Sequence, residues 1–306
     1  MQGVLRVRVL GSAAGGGFPQ WNCACGNCML VRAGDGRVVE RTQDSLAISA
    51  NGDRWLLVNA SPDVLRQIER FSALWPQSAR HTPIAAIALT NGDLDHVLGL
   101  LSLRESQPLA VLATEAVRAG LVERNTMLRT LARSTDHVQW RSLVLGNELF
   151  LDDVGVAVTP VAVPGKLPVH LTGIARPSAE DNVALRIRAL DSEKTVVVAT
   201  AVGSLDRVEA LVAGADVLFF DGTFWTEDEL VALGLGRARA REMAHVPIGG
   251  DDGSLAHLAL PQLAATRRIY THINNTNPIL RSDSHERAQA ERAGWQVAFD
   301  GLEVVL

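Results

Sequence analysis

Thr90-Asn91-Gly92-Asp93-Leu94-Asp95-His96 is the stretch on which the reading of the chain turns. The run before it, Ile84-Ala85-Ala86-Ile87-Ala88-Leu89, is short and apolar and predicts a buried strand. Behind it Leu94, Val97, Leu98 and Leu101 recur at helical spacing. Two carboxylates and an imidazole therefore gather at the carboxyl end of a strand, where open α/β sheets collect their ligands. Asp93 or Asp95 could equally cap the helix that follows, and spacing alone does not separate the two roles.

Outward from this loop, strand and helix signals alternate to both ends. Leu5, Val7 and Val9 alternate with Arg6 and Arg8, as in a half-buried strand. Trp55-Leu56-Leu57-Val58 reads as a buried strand, and Ser61 with Pro62 opens a helix carrying Val64, Leu65, Ile68 and Phe71. Further strands are expected over 109–112, 183–187, 195–199, 217–220, 269–271, 296–299 and 302–305, with several short ones between 138 and 161. Helices are expected from about Thr114, over 124–133, near 205–212 and 255–263, and over 284–293, the last ended by Gly294. Residues 226–252 form a long polar segment. No linker and no solenoid period interrupts the pattern. It predicts one α/β domain over residues 1–306, built of two sheet-plus-helix halves with mixed sheets.

The totals narrow the function classes. The chain has 306 residues, 47% hydrophobic and 21% charged, which excludes a disordered, collagen-like or disulfide-scaffold protein. Lysine plus arginine number 29 against 34 acidic residues, a net charge of −5 with no basic block, so no nucleic-acid partner is expected. Aromatics are 5%, too few for base-stacking platforms. No run approaches the roughly 18 apolar residues of a membrane span, and Arg6 and Arg8 break up the N-terminal apolar segment, so a cytoplasmic protein is expected. A homodimer is one admissible assembly.

The loop at 90–96 resembles the metal-binding motif of the metallo-β-lactamase superfamily, Thr-His-x-His-x-Asp-His. That resemblance implies a four-layer αββα sandwich of two mixed β-sheets flanked by helices. Asn91 and Asp93 stand where the motif has its first two histidines; Asp95 and His96 match its Asp-His pair, and Gly99 a following glycine. Ile269-Tyr270-Thr271-His272-Ile273 resembles the terminal strand whose histidine is a ligand, and His245 in Ala244-His245-Val246-Pro247 resembles an acid–base histidine of some members. Dinuclear members need a third histidine, which would fall near 163–166, and a bridging aspartate, which would fall near 198–201; neither is there. What remains is Asp95, His96 and His272. Two histidines and one carboxylate with open positions form the ligand set of non-haem iron(II) oxygenases. Asp93 is open between a fourth oxygen ligand and a hydrogen-bond acceptor outside the ligand shell.

Longer segments carry a closer resemblance over nearly the whole chain. They run from Gly11-Ser12-Ala13-Ala14-Gly15-Gly16-Gly17-Phe18-Pro19-Gln20-Trp21-Asn22-Cys23, through the 90–96 loop, to Asp221-Gly222-Thr223-Phe224-Trp225, His245-Val246-Pro247-Ile248-Gly249-Gly250 and Thr271-His272-Ile273-Asn274-Asn275-Thr276-Asn277-Pro278. These segments resemble the B proteins of pyrroloquinoline quinone (PQQ) biosynthesis. The resemblance implies hydroxylation of the tyrosyl ring of a crosslinked Glu–Tyr precursor, with O2 as cosubstrate and Fe(II) at the active site. A second reading of that family is a non-catalytic carrier of PQQ or its precursor towards the periplasm. A metallo-hydrolase is the third reading, disfavoured by the missing ligands.

All three cysteines lie in Cys23-Ala24-Cys25-Gly26-Asn27-Cys28, a spacing that suits a tetrahedral structural zinc lacking one ligand. Relatives in the superfamily complete such a knuckle with a histidine three residues past the terminal-strand histidine. That position is Asn275 here, a candidate through its side-chain oxygen. Asp221 follows a strand and could orient His245 or the substrate, and the His245 imidazole suits acid–base work at neutral pH. Gly15-Gly16-Gly17 lacks the Gly-Lys-Ser/Thr of a phosphate cradle and is expected to be a flexible loop at the mouth of the site. Lys166, Arg176 and Arg281 are candidates to pair with substrate carboxylates, and His170 is a further residue near the missing ligand. His81, His137, His257 and His285 are expected to face solvent or core.

Overall fold

The computed structural model describes residues 4–104, 108–125, 128–132 and 138–306. The first sheet uses β1 (Arg6–Gly11), β2 (Ser45–Ser49), β3 (Trp55–Val58), β4 (Ile84–Ala88), β5 (Leu109–Ala113) and β6 (Val138–Ser142). The second uses β7 (Leu149–Leu151), β8 (Val156–Ala162), β9 (Val183–Ala189), β10 (Thr195–Ala199), β11 (Val217–Asp221), β12 (Arg267–Thr271) and β13 (Trp295–Val297). The last strand, β14 (Glu303–Val305), returns to the first sheet beside β1. The orders are β14-β1-β2-β3-β4-β5-β6 and β13-β12-β11-β10-β9-β8-β7. Each sheet is antiparallel on one side and parallel on the other: β3 to β6 and β10 to β13 run parallel.

Helices cover the outer faces: α1 (Gly26–Arg32), α2 (Val64–Glu69), α3 (Leu94–Val97), α4 (Gly99–Ser102), α5 (Glu115–Val122), α6 (Val208–Val212), α7 (Glu229–Ala232), α8 (Ser254–His257) and α9 (His285–Arg292). Three apolar layers follow from the side-chain alternation of the strands. Val7, Val9, Leu56 and Val58 of the first sheet meet Leu185, Ile187, Val196 and Phe219 of the second between the sheets. Leu57, Ile87 and Val111 face outward onto Val64, Val97, Leu100 and Val117. Val197, Leu218, Phe220 and Tyr270 face outward onto Leu211, Leu255 and Ala290. This is the αββα sandwich.

Several boundaries differ from the expectation. The helix after the 90–96 loop breaks into α3 and α4 at Gly99, where a Cβ would stand 2.3 Å from the Ser61 carbonyl oxygen. The helix expected near 255–263 ends at His257, and Pro261 opens a separate 3-10 turn. The helix expected over 124–133 is only a 3-10 turn, Leu128–Ala132, among the described residues. His137 lies outside the described residues.

The carboxyl ends of the parallel strands converge on one edge. Ala13, just past β1, bridges Gln43 ahead of β2 and Ile273 behind β12, which fastens the two sheets together there. Thr90 and Asn91 also join this edge, through the Val183 N–H to the Thr90 carbonyl and a bridge from Asn91 to Asn182.

Candidate metal centre

Asp95 and His96 project from α3, and His272 from the residue after β12. His272 has φ 55°, in the left-handed region. A β-strand end held there by a non-glycine residue is a strained conformation of the kind found at functional sites. The ligand atoms of Asp95, His96 and His272 all lie within 4.8 Å of one another. Asp95 Oδ2 is 3.3 Å from His272 Nε2 and 3.8 Å from His96 Nε2. Ligands bound at about 2.1 Å around one ion, at 90–109°, stand roughly 3.0–3.4 Å apart. The two contacts of Asp95 Oδ2 therefore lie within a few tenths of an ångström of that range.

The tautomers point the same way. Thr90 Oγ1 gives its proton to Asn59 Oδ1 (3.0 Å), which also receives the Thr90 N–H. The hydroxyl must then accept from His96 Nδ1–H at 3.1 Å. That leaves the His96 Nε2 lone pair facing inward, and this buried nitrogen has no hydrogen-bond partner. Thr223 Oγ1 likewise gives its proton to Asp221 Oδ1 or the His272 carbonyl and accepts from His272 Nδ1–H at 2.9 Å. Both imidazoles are thus anchored at Nδ1 and present Nε2 to the same carboxylate oxygen, the orientation metal-binding histidines adopt. The residues fit a metal.

The charges agree with this arrangement. Burial works against the Asp95 anion, yet the His96 and His272 imidazoles hold its carboxyl well below the usual range. Burial pushes the His96 imidazole down. Burial also opposes charge on His272, but its hydrogen bond to Asp95 overrides this and pushes it up to about 9.

A second trio, Asp221, His245 and His272, shares the last histidine. It is a hydrogen-bond network. Asp221 Oδ2 accepts from His245 Nδ1 (2.8 Å) and Val202 N (2.9 Å), and Oδ1 from Thr223 N and Oγ1 (3.1 and 2.7 Å). Asp221 is thus engaged by its own neighbours, unlike Asp95, whose Oδ2 meets only imidazoles. Burial opposes its charge, but the His245 imidazole holds it below the usual range. The His245 ring stacks on His272 at 5.4 Å and lines the same cavity.

That cavity measures about 510 Å³. Asp93 and Lys166 line it, as do Phe224, Leu235 and Met243. Asp93 stands beside the trio without joining it. Arg176 is exposed and does not line the cavity, and Arg281 is tied to Asp283 at 3.0 Å away from it. His170 does not line it either; both its ring nitrogens are buried without partners. Gly15 closes one wall, where a Cβ would come within 3.2 Å of Asp95 Oδ2. The glycine loop is pinned, with Gly16 N–H on Gln43 Oε1 at 3.1 Å and Gly17 N–H on the Ala14 carbonyl at 3.1 Å.

Nothing fills the missing ligand positions. A side chain at Gly165 would strike Asn182 at 2.1 Å, and in the 198–201 stretch it is Ala201 that lines the cavity. Asn91 Oδ1 is used inside its own loop, accepting the Asp93 N–H at 2.9 Å.

The three cysteine sulfurs lie within 4.8 Å of one another. The Asn275 side-chain amide is 3.1, 3.5 and 3.4 Å from Cys23, Cys25 and Cys28 Sγ. A tetrahedral zinc with three sulfurs and one amide oxygen has S···O edges of about 3.6 Å. Turning the amide by 180° would direct its oxygen at the sulfurs, and the two atoms are exchangeable in such an assignment. Burial and the Cys23 and Cys28 sulfurs push the Cys25 thiol up to about 11; Cys23, despite its burial, is lowered by the Cys25 N–H. Crowded sulfurs of this kind call for a cation. Asn27 Nδ2 donates to the Asn275 and Asn277 carbonyls at 3.1 and 2.9 Å, locking the knuckle to the loop that carries His272.

The side chains of Thr90, Thr223 and Asn59 orient the imidazoles; the sequence motifs contain the two threonines but assign them no role, and they leave out Asn59. Nor did they mark Asp44, which is buried beside Thr271.

Comparison with known proteins places this geometry in a family. A model of the beta-lactamase superfamily domain matches residues 54–273. Coenzyme PQQ synthesis protein B of Ruegeria pomeroyi is 44% identical over 305 residues, covering 99% of this chain and 100% of the relative. The crystal structure of Zn2+-bound PqqB from Methylobacterium extorquens superposes with a TM-score of 0.91 at 42% identity, covering 98% of this chain and 100% of that one. A diphosphatase of the PhnP family, at 20% identity and a TM-score of 0.69, shares the fold. The coenzyme PQQ synthesis protein B of Methylorubrum extorquens is 43% identical over 306 residues, 99% of this chain and 100% of its own length, so this chain belongs to that family within the β-lactamase superfamily.

Proposed function

We propose that the protein is a mononuclear iron(II) hydroxylase of PQQ biosynthesis that hydroxylates the tyrosyl ring of the crosslinked Glu–Tyr precursor, one atom of O2 entering the ring and the other leaving as water with two electrons from an external reductant. The pathway follows from the family. The chemistry rests on one observation: two imidazoles, each tied at Nδ1 to a threonine hydroxyl, offer Nε2 to a single Asp95 oxygen. When bound there, ferrous ion supplies one-electron reactivity towards O2.

The chain's own residues do the rest. His245 Nδ1–H is held by Asp221, so Nε2 is the atom that takes the proton leaving the tyrosyl ring. Asp221 then stabilises the imidazolium, as a buried carboxylate does for a catalytic histidine. Lys166 is the one lysine or arginine among the cavity-lining residues and meets a precursor carboxylate. Phe224, Leu235 and Met243 exclude water from the ring. Asp93 remains outside the ligand shell. The Cys23, Cys25, Cys28 and Asn275 site holds a structural zinc, a reading supported by three sulfurs gathered within 4.8 Å of one another.

Two-metal hydrolysis needs ions about 3.5–4 Å apart, and the residues that would hold a second one are absent around Gly165 and Ala201. A carrier would need the cavity but not the Asp221–His245 pair. Among the described residues no helix is long and apolar enough to cross a membrane.

The test is O2 consumption with ferrous iron and precursor. His96→Ala and His272→Ala are each expected to lower turnover at least about 100-fold, since even residues outside the ligand shell cost 10–100-fold. Unchanged turnover would refute the hydroxylase and leave the carrier.

A further inference from the structure

Asp44 is 1% exposed and immediately precedes β2. Its N–H donates to the Ala13 carbonyl at 2.8 Å, which fixes it at the junction of the two sheets. Oδ1 accepts from Thr271 Oγ1 at 2.7 Å, one residue before His272. Oδ2 is buried and has no hydrogen-bond partner. Among the described residues no lysine or arginine pairs with it. Without a metal, burial pushes its carboxyl up, against the opposing pull of the His272 and His96 imidazoles and the Thr271 hydroxyl. Buried carboxylates without a compensating partner are rare in folded proteins, so an orphaned oxygen on a group bonded to the residue before His272 calls for a cation nearby. Asp44 does not belong to the trio of ligand atoms within 4.8 Å. A divalent ion with Asp95 and two neutral imidazoles leaves one positive charge in a buried site; Asp221 is already engaged by His245, Val202 and Thr223, whereas Asp44 has an unengaged oxygen to offset that charge.

We propose that Asp44 is the counter-charge of the metal centre: it strengthens cation binding by Asp95, His96 and His272 without ligating the metal, and it favours the more oxidised state of a bound iron. This inference rests on the metal site argued above and adds a positioning and charge-balancing residue to it.

The test is anaerobic titration of ferrous iron, against a competing chelator, into protein whose cysteine site is already filled with zinc. Asp44→Asn is expected to weaken iron binding about 10–100-fold. The midpoint potential of the bound iron should move to a more positive value, and the metal-free melting temperature should stay level or rise. Binding within twofold of wild type with an unmoved potential would overturn the proposal. So would a lowered metal-free melting temperature with an unmoved potential, or failure to fold, because either would make Asp44 a packing residue. Failure of the wild-type protein itself to bind iron would sink the metal site, and this inference with it.

Discussion

Both ring nitrogens of His272 face oxygens: Nδ1 meets Thr223 Oγ1 at 2.9 Å and Nε2 meets Asp95 Oδ2 at 3.3 Å. Without a metal, burial opposes charge on this ring, but Asp95 pushes it up to about 9, so at pH 7 Nε2 carries a proton in the place a cation would take. Metal binding must expel that proton. Calorimetric titration at pH 7 in buffers of different ionisation enthalpy is therefore expected to show about one proton released per metal bound at this site. Affinity should fall up to about tenfold per pH unit below 9, and no proton release would contradict the arrangement. That Asp95, His96 and His272 would gather was legible in the sequence because they stand in recognisable motifs. The roles of Thr90, Thr223 and Asp44 were not. A threonine hydroxyl that fixes a tautomer has no periodicity, and Asp44 reads as a polar residue at the edge of β2.

The elements that carry the site are short and held by specific contacts. Trp55–Val58 and Thr195–Ala199 matched their expected strands because unbroken apolar runs between polar residues leave little choice. Residues 226–252 gave no such signal. Their one α-helix, α7, has four residues and is fixed by side chains: Glu229 accepts from Trp225 N at 2.7 Å and from Thr276 Oγ1, and Arg241 pairs with Glu227 at 2.6 Å. Glu229 thereby joins the segment after Thr223 to the loop after His272. Burial pushes its carboxyl from 4.5 up to about 7, against hydrogen bonds from Thr276, Trp225 and Thr226. The folded state thus holds a proton that the unfolded chain releases above about pH 4.5. The resulting stabilisation is full below that pH and is lost as pH rises through about 7. Glu229→Gln is expected to flatten the stability profile between pH 5 and 8, removing a change of up to about 3 kcal/mol. Denaturant melts across that range check it, and an unaltered slope would contradict it.

At the scale of the whole molecule, two seven-stranded sheets are joined at one edge through Ala13, and both candidate metal sites lie at that edge. The alternation of strands and helices was legible, but the return of β14 to β1 was not, because nothing local in Glu303–Val305 names its partner. The cysteine knuckle reaches across a long sequence separation to Asn275, so its metal should stabilise the assembled molecule. Cys28→Ser, at a fully buried sulfur, is expected to abolish zinc retention and cost about 2 kcal/mol or more, roughly 3 °C or more in Tm for a chain of this length. Unchanged metal content and Tm would contradict the structural zinc. The most direct test of the account is anomalous diffraction at the iron and zinc edges from crystals grown with both metals. It predicts a single iron peak touched by Asp95 Oδ2, His96 Nε2 and His272 Nε2, and a separate zinc peak among Cys23, Cys25 and Cys28. Two adjacent peaks about 3.5–4 Å apart at the histidine site, or none there, would contradict it.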